Sequence, residues 1–324
     1  MKFSNFEESI KVKLISFPSN LVGDCYKMGR FATEHANFNS PYGNANKEEI
    51  DKYVDELING KTFPKYMYNQ RIGFEIRGIS RIALAQLTRD SAIFASESHG
   101  LRPLNMNFVL PRSITEDVEV MDKVVEAQKL LEEAYIIACK HEIPYPESRY
   151  IGLHCQTISL CASYTIGDFI RSCHSRTNNS FCDELNYIYR LMYWSIKSRI
   201  QDEYEGLKEE KLYNFLFDEK RCIDDSFYTR TVVFNGDFDY INSQYNKPEH
   251  PAENDWRKSG WLKDLVYIAN HMPYLLTKKE LAMYKNFPLE KAMEYPTTYD
   301  KNNPLAAVNR IDSMPYYKEY KNEE

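Results

Sequence analysis

Positive charge is not in surplus in this sequence: 41 Lys and Arg stand against 47 Asp and Glu, for a formal net charge of −6. Such a balance suits neither the neutralisation of a nucleic-acid polymer nor attachment to an anionic membrane. It still allows a local Arg cluster for a small phosphorylated ligand. No apolar run approaches the ~20 residues that cross a bilayer. There is no Gly-x-Gly-x-x-Gly and no Gly-x-x-x-x-Gly-Lys, so a dinucleotide fold or a P-loop has no support. Cys-x-x-Cys and His-Glu-x-x-His are also missing. The pairs His154-Cys155 and Cys173-His174 match no standard zinc spacing, so they read as structural residues and no metal is expected. The Cys residues (Cys25, Cys139, Cys155, Cys161, Cys173, Cys182 and Cys222) are odd in number and scattered. They read as reduced thiols of a cytoplasmic protein. Met1 to Ile10 carries Glu7 and Glu8 without an apolar run and is not expected to be a signal peptide.

What is present is a chain of 324 residues, 43% hydrophobic, long enough for one large domain or two modest ones. Ile10 to Phe17 alternates and predicts a first strand, followed by a helix over Asn20 to His35. A loop is expected at Asn37 to Asn46, then a helix over Lys47 to Asn59 with Ile50, Tyr53, Val54 and Leu57 on one face. Arg71 to Arg77 alternates cleanly, with Ile72, Phe74 and Ile76 pointing one way, as in a half-buried strand. Ser80 is placed to cap a helix running to about Arg89. Asp90 to Leu104 reads as a structured loop. Ser113 to Lys140 carries the clearest helical repeat, through Val120, Val124, Ala127, Leu130, Leu131, Ala134, Tyr135 and Ala138. His154 to Ser163 reads as a strand; Thr165 to Ser175 and Cys182 to Arg199 read as helices. Beyond Arg199 the pattern weakens, leaving a strand at Thr229 to Phe234 and short helices near Trp261 to Ala269 and Lys278 to Tyr284.

The segment Gly78 to Arg102 has its own chemical logic. A strand ends at a Gly, and a Ser caps a helix bearing Arg81, Gln86 and Arg89. The loop that follows holds Asp90, Ser91, Ser96, Glu97, Ser98, His99 and Arg102. Guanidiniums, hydroxyls and loop amides together suit a phosphate or a polar heterocycle. On composition alone, a solvated helix end with ordinary surface charge explains the same residues.

Phe74-Glu75-Ile76-Arg77-Gly78-Ile79-Ser80-Arg81, continued by Gln86-Leu87-Thr88-Arg89, resembles the lead-in to the signature of the flavin-dependent thymidylate synthase family. There a Phe-x-Ile-x-Gly-x-Ser-Arg run precedes Gln-x-x-Arg-His-Arg. A second block supports the first: Arg149, a strand, the helix Thr165 to Arg176, and then Asp183-Glu184. The resemblance covers roughly residues 10 to 200 and implies an α+β subunit, a mixed sheet flanked by helices, with a flavin and nucleotide domain at 1–200. Residues 201–324 are then a C-terminal extension of unassigned role.

The same resemblance implies methylation of dUMP to dTMP at ring carbon C5, in a homotetramer. FAD would be the cofactor, with NADPH and methylenetetrahydrofolate as cosubstrates. Arg176 and Gln86 would serve the reacting ring. Arg89, Glu97, Ser98, His99, Arg102 and Arg149, with Arg176, would hold the pyrimidine deoxynucleoside monophosphate. Arg89, Asp90, Ser91 and Ala92, with Thr165 and Arg171, would lie against the flavin.

The sequence also departs from the family. Its Arg-His-Arg is Arg89-Asp90-Ser91 here, the signature Ser position holds His99, and the following Arg-Tyr is Leu101-Arg102. The family's upstream His is absent near Thr62 and Phe63. Its Asn and Arg on the second-block helix appear as Thr165 and Gly167. Two alternatives therefore stand beside thymidylate synthesis. One is a related enzyme acting on dCMP or making a hydroxymethyl product. The other is a non-catalytic nucleotide-binding subunit.

Overall fold

Alternation in the sequence becomes a sheet with one buried face. The computed structural model describes residues 2–33, 46–60, 68–96, 107–178, 183–225 and 263–287. The elements are β1 (Lys2–Ser4), α1 (Phe6–Ser9), β2 (Lys11–Ser16), α2 (Leu21–Thr33), α3 (Lys47–Asn59), β3 (Arg71–Ser80), α4 (Arg81–Leu87) and β4 (Ala92–Ser96). Then follow β5 (Asn107–Val109), α5 (Arg112–Thr115), α6 (Val118–Lys140), α7 (Tyr145–Ser148), β6 (Thr157–Thr165), α8 (Ile166–Arg176), α9 (Asp183–Tyr204), α10 (Lys208–Leu216) and α11 (Glu219–Cys222). A helix at 263–271 and another at Lys278–Tyr284 complete the described chain.

The principal sheet is antiparallel in the order β2-β3-β6-β4, and β1 pairs with β5 in a small parallel sheet. Ile72, Phe74 and Ile76 of β3 pack with Leu160, Ala162 and Tyr164 of β6 on the covered face, where α8 and α9 supply Phe169, Cys173, Ile188, Tyr189 and Met192. The fold is α+β, as expected. Leu212, Tyr213 and Leu216 of α10 and Leu265, Ile268 and Leu275 beyond it join the same apolar cluster.

Several boundaries moved, each for a local reason. The strand predicted at Arg71 to Arg77 runs on to Ser80 because its register with β6 shifts between Ile76 and Ile79. Gly78 sits at this irregularity with φ +73°, a left-handed backbone that glycine alone adopts freely. A Cβ there would lie 2.1 Å from the Ser9 carbonyl oxygen. Gly78→Ala is expected to destabilise the fold by about 2 kcal/mol, read from the denaturation midpoint.

The predicted helix Ser113 to Lys140 is broken. Asp117 leaves helical geometry and accepts a hydrogen bond from the Val120 amide (3.0 Å), so it starts α6 anew. The repeat in α6 does not mark core either: Leu130 is 60% and Val120 43% exposed, while Ala138 is buried. The loop predicted at Asp90 to Leu104 contains β4, hydrogen-bonded along β6 from Ala92 to Ser96. The strand at His154 to Ser163 is displaced to Thr157–Thr165. Thr229 to Phe234 and Asn37 to Ala45 lie outside the described residues.

Candidate functional site

Ser80 is the first residue of the site and has three tasks. It ends β3, and its Oγ accepts from the Ala83 amide (3.0 Å), capping α4. Its hydroxyl also donates to Glu184 at the start of α9, and its own amide donates to the same carboxylate at 2.6 Å. Both residues are buried. This joins the segment that begins at Gly78 to the one that ends at Glu184. Ser80→Ala removes the cap and one of the two bonds to a buried carboxylate. The expected loss is about 2 kcal/mol in chemical denaturation, largely recovered by Ser80→Thr.

Asp90 makes the second junction. It follows α4 at a turn, and its Oδ1 accepts from Arg176 Nε (3.2 Å) and Nη2 (2.7 Å) at the end of α8. The two side chains are only 8% and 12% exposed. Oδ2 accepts from the Tyr189 hydroxyl at 2.6 Å, and the Tyr164 hydroxyl lies 3.0 Å from that of Tyr189. Tyr189 has one proton and gives it to Asp90, so Tyr164 donates to Tyr189. Burial, above all, pushes both hydroxyls well above their ordinary range, and the neighbouring Asp90 charge adds to this. They therefore remain neutral donors, and the cluster is one cation, one anion and two tyrosines.

Around this pair the other expected residues are disposed unequally. Arg89 and Ser91, on either side of Asp90, are exposed, and Gln86 and Ala92 are half-buried. Thr165 caps α8, accepting from the Asp168 amide at 3.1 Å. Arg171 is 72% exposed and pairs with Asp168. The backbone of Arg149 lies in the 3-10 turn Arg149–Ile151. Glu97, Ser98, His99 and Arg102 lie outside the described residues. The structure thus brings Asp90 to Arg176 and Ser80 to Glu184 directly. Tyr164 and Tyr189 were missed, because nothing in a helical or alternating pattern separates a hydroxyl aimed at a carboxylate from an ordinary core tyrosine.

The thiols offer no activated nucleophile in the core. Burial pushes Cys25 and Cys222 up to about 12, and Cys173 rises well above its usual range for the same reason. Among the described residues, no group of three or more His, Cys, Asp or Glu is placed to hold a metal.

The chain is similar in structure to flavin-dependent thymidylate synthases. One solved relative is ThyX from Helicobacter pylori, complexed with FAD and dUMP: 17% identical, TM-score 0.45, covering 66% of this chain and 100% of that one. Another is the UMP/dUMP methylase PolB from Streptomyces cacaoi, bound with 5-Br dUMP: 14% identical, TM-score 0.47, covering 61% of this chain and 93% of that one. No family model matches the sequence, and no curated protein matches it.

Proposed function

We propose that the protein binds a pyrimidine deoxynucleoside monophosphate beside Arg176 and methylates its ring at C5, converting dUMP to dTMP with FAD bound. The observation that carries this reading is the Asp90–Arg176 contact. Two sequence blocks that resemble the same family separately, 86 residues apart at this pair, meet through their most chemically telling side chains. Arg176 is held at the end of α8 by a carboxylate and is nearly buried, a prearranged guanidinium rather than a mobile surface charge. Such a group is suited to the polar edge of a heterocycle and to charge developing on it. Gln86, Arg149, Glu97, Ser98, His99 and Arg102 are assigned to the same nucleotide by the sequence resemblance.

The residues assigned to the flavin suit an anionic cofactor better than the sequence suggests. Asp90 would oppose a diphosphate, but its charge is turned inward and compensated by Arg176. Arg89 and Ser91 remain at the surface as donors, and Arg171 on α8, though paired with Asp168, is itself largely exposed. Reduced FAD would supply the hydride, methylenetetrahydrofolate the carbon, and NADPH the reducing electrons. A homotetramer in the cytoplasm is the expected setting.

The absorbance spectrum of the pure protein tests the flavin directly: the expected result is a yellow protein, or one that takes up added FAD. Titration with dUMP and dCMP tests the nucleotide, with Arg176→Ala expected to weaken binding at least about tenfold, the worth of one charge-assisted contact. A colourless protein that cannot be loaded with FAD but still binds nucleotide would favour a non-catalytic nucleotide-binding subunit. The exchange of a family guanidinium for Ser91 is what favours that second reading. Preference for dCMP over dUMP, or a hydroxymethyl product, would mark a related enzyme of altered specificity. Absence of both flavin and nucleotide binding would overturn the assignment.

A further inference from the structure

Arg176 is the last residue of α8, and the chain that leaves it is deeply buried: Thr177 is 0% and Asn178 2% exposed. Polar residues at such a helix exit must find partners for their groups. Thr177 finds them all. Its amide donates to the Cys173 carbonyl at 3.0 Å, closing the last turn of α8. Its carbonyl accepts from Asn186 Nδ2 at 3.0 Å and from Arg190 Nη2 at 3.1 Å, which occupies both lone pairs. Its hydroxyl donates to the Cys173 carbonyl and accepts from the Asp224 amide, each at 2.9 Å. Asn178 Nδ2 donates to Asp224 Oδ2, also at 2.9 Å.

Much of this knot is built by residues beyond 200, which the family resemblance does not reach. Asp224, just after α11, bonds both Thr177 and Asn178 directly. Glu280 acts at one remove. Its carboxylate grips both Nη atoms of Arg190, whose Nη2 also reaches the Thr177 carbonyl. Arg190 Nε donates to Asn186 Oδ1 at 2.6 Å, which leaves Asn186 Nδ2 directed at the Thr177 and Asn178 carbonyls. The two contributions are themselves joined. The Thr277 hydroxyl, which caps the helix bearing Glu280, donates to Asp225 Oδ2 at 3.1 Å.

We infer that Asp224 and Glu280 are positioning residues for the nucleotide contact made by Arg176, a role that rests on the function proposed above. The final turn of a helix frays unless its carbonyls and its exit are held. Here the exit is held by partners from α9, from the segment after α11 and from the helix Lys278–Tyr284. Asp90 fixes the Arg176 guanidinium from the side-chain end, and the knot at Thr177 fixes the backbone from which it projects. Residues 201–324 thereby act on the site through the peptide that follows Arg176.

Calorimetric titration of the full chain with dUMP tests it. Asp224→Ala should weaken binding about fivefold, the size of a coupling carried through packed neighbours. Asp224→Asn keeps an acceptor for Asn178 and should bind within about twofold of wild type. Glu280→Gln keeps the volume but not the grip on both Nη atoms and should also weaken binding, so the test survives if one variant misfolds. Ile268→Ala removes buried apolar surface from the same C-terminal part and should leave the affinity unchanged. Circular dichroism melting confirms that each variant is folded. On an Arg176→Ala background, Asp224→Ala should cost less than about a further twofold, because its effect passes through Arg176; an independent effect would add in full. Wild-type affinity in folded Asp224→Ala and Glu280→Gln, or full additivity with Arg176→Ala, would overturn the inference and leave the nucleotide reading standing. Binding of dUMP that is indifferent to Arg176→Ala, or absent from wild type, would overturn both.

Discussion

Glu280→Ala is expected to cost about 3–5 kcal/mol of folding stability, the range found when one partner of a fully buried ion pair is removed. Arg190, on α9, is 0% exposed and Glu280 is 1% exposed. Arg190 Nη2 and Nη1 donate to Glu280 Oε1 and Oε2 at 2.6 and 2.8 Å. The remaining donors reach Asn186 Oδ1, the Thr177 carbonyl and the Leu275 carbonyl. All five N–H groups of the guanidinium are thereby used. Truncating Glu280 strands this cation away from water and also removes the acceptor for the Thr277 amide. The urea or guanidinium midpoint should fall sharply in the single variant. Replacing both partners by apolar residues, Arg190→Met with Glu280→Leu, should recover much of the loss, because no unpaired charge remains. A loss below about 1 kcal/mol in Glu280→Ala would show that the pair is not closed off from solvent.

How much of this was legible in the sequence depended on whether local pattern or distant partners decided the outcome. The α3 boundaries follow from signals within a few residues: an Asn cap, an acidic first turn and a three-to-four-residue apolar repeat. Ile72, Phe74 and Ile76 were legible because alternation and burial coincide on a strand with one covered face. In α6 the repeat was real, but of its apolar positions only Ala138 is buried; periodicity reports an amphipathic helix and not what covers it. β4 was hidden because five residues following a turn, without alternating polarity, resemble a loop until β6 is there to pair with them. Within the site, Ser80 was recognisable as a cap, but its hydrogen bonds to Glu184 span 104 positions. Asp90 read as a defect in the signature, since a carboxylate replaces a histidine. Its partnership with Arg176 and Tyr189 turns that defect into a compensated junction.

That junction predicts a second large effect with a distinctive signature. Asp90→Ala removes the acceptor for two Arg176 donors and for the Tyr189 hydroxyl, and should cost about 2–4 kcal/mol. Tyr189→Phe, which loses one neutral donor, should cost about 1 kcal/mol. The loss in Asp90→Ala should be reversible in a specific way. With its counter-ion gone, the Arg176 guanidinium becomes an anion site, so added inorganic phosphate should raise the melting temperature of Asp90→Ala more than that of wild type. Saturation at a hundred times the dissociation constant would restore about 2.7 kcal/mol. Arg176→Ala leaves the reverse situation, a carboxylate enclosed without its cation, and phosphate should give it no comparable recovery. Asp90→Asn keeps an acceptor but not the charge and should fall between wild type and Asp90→Ala. Equal phosphate responses in wild type, Asp90→Ala and Arg176→Ala would mean that Asp90 does not hold Arg176 as a compensated cation. The reading of this pair as a prearranged nucleotide contact would then lose its physical basis.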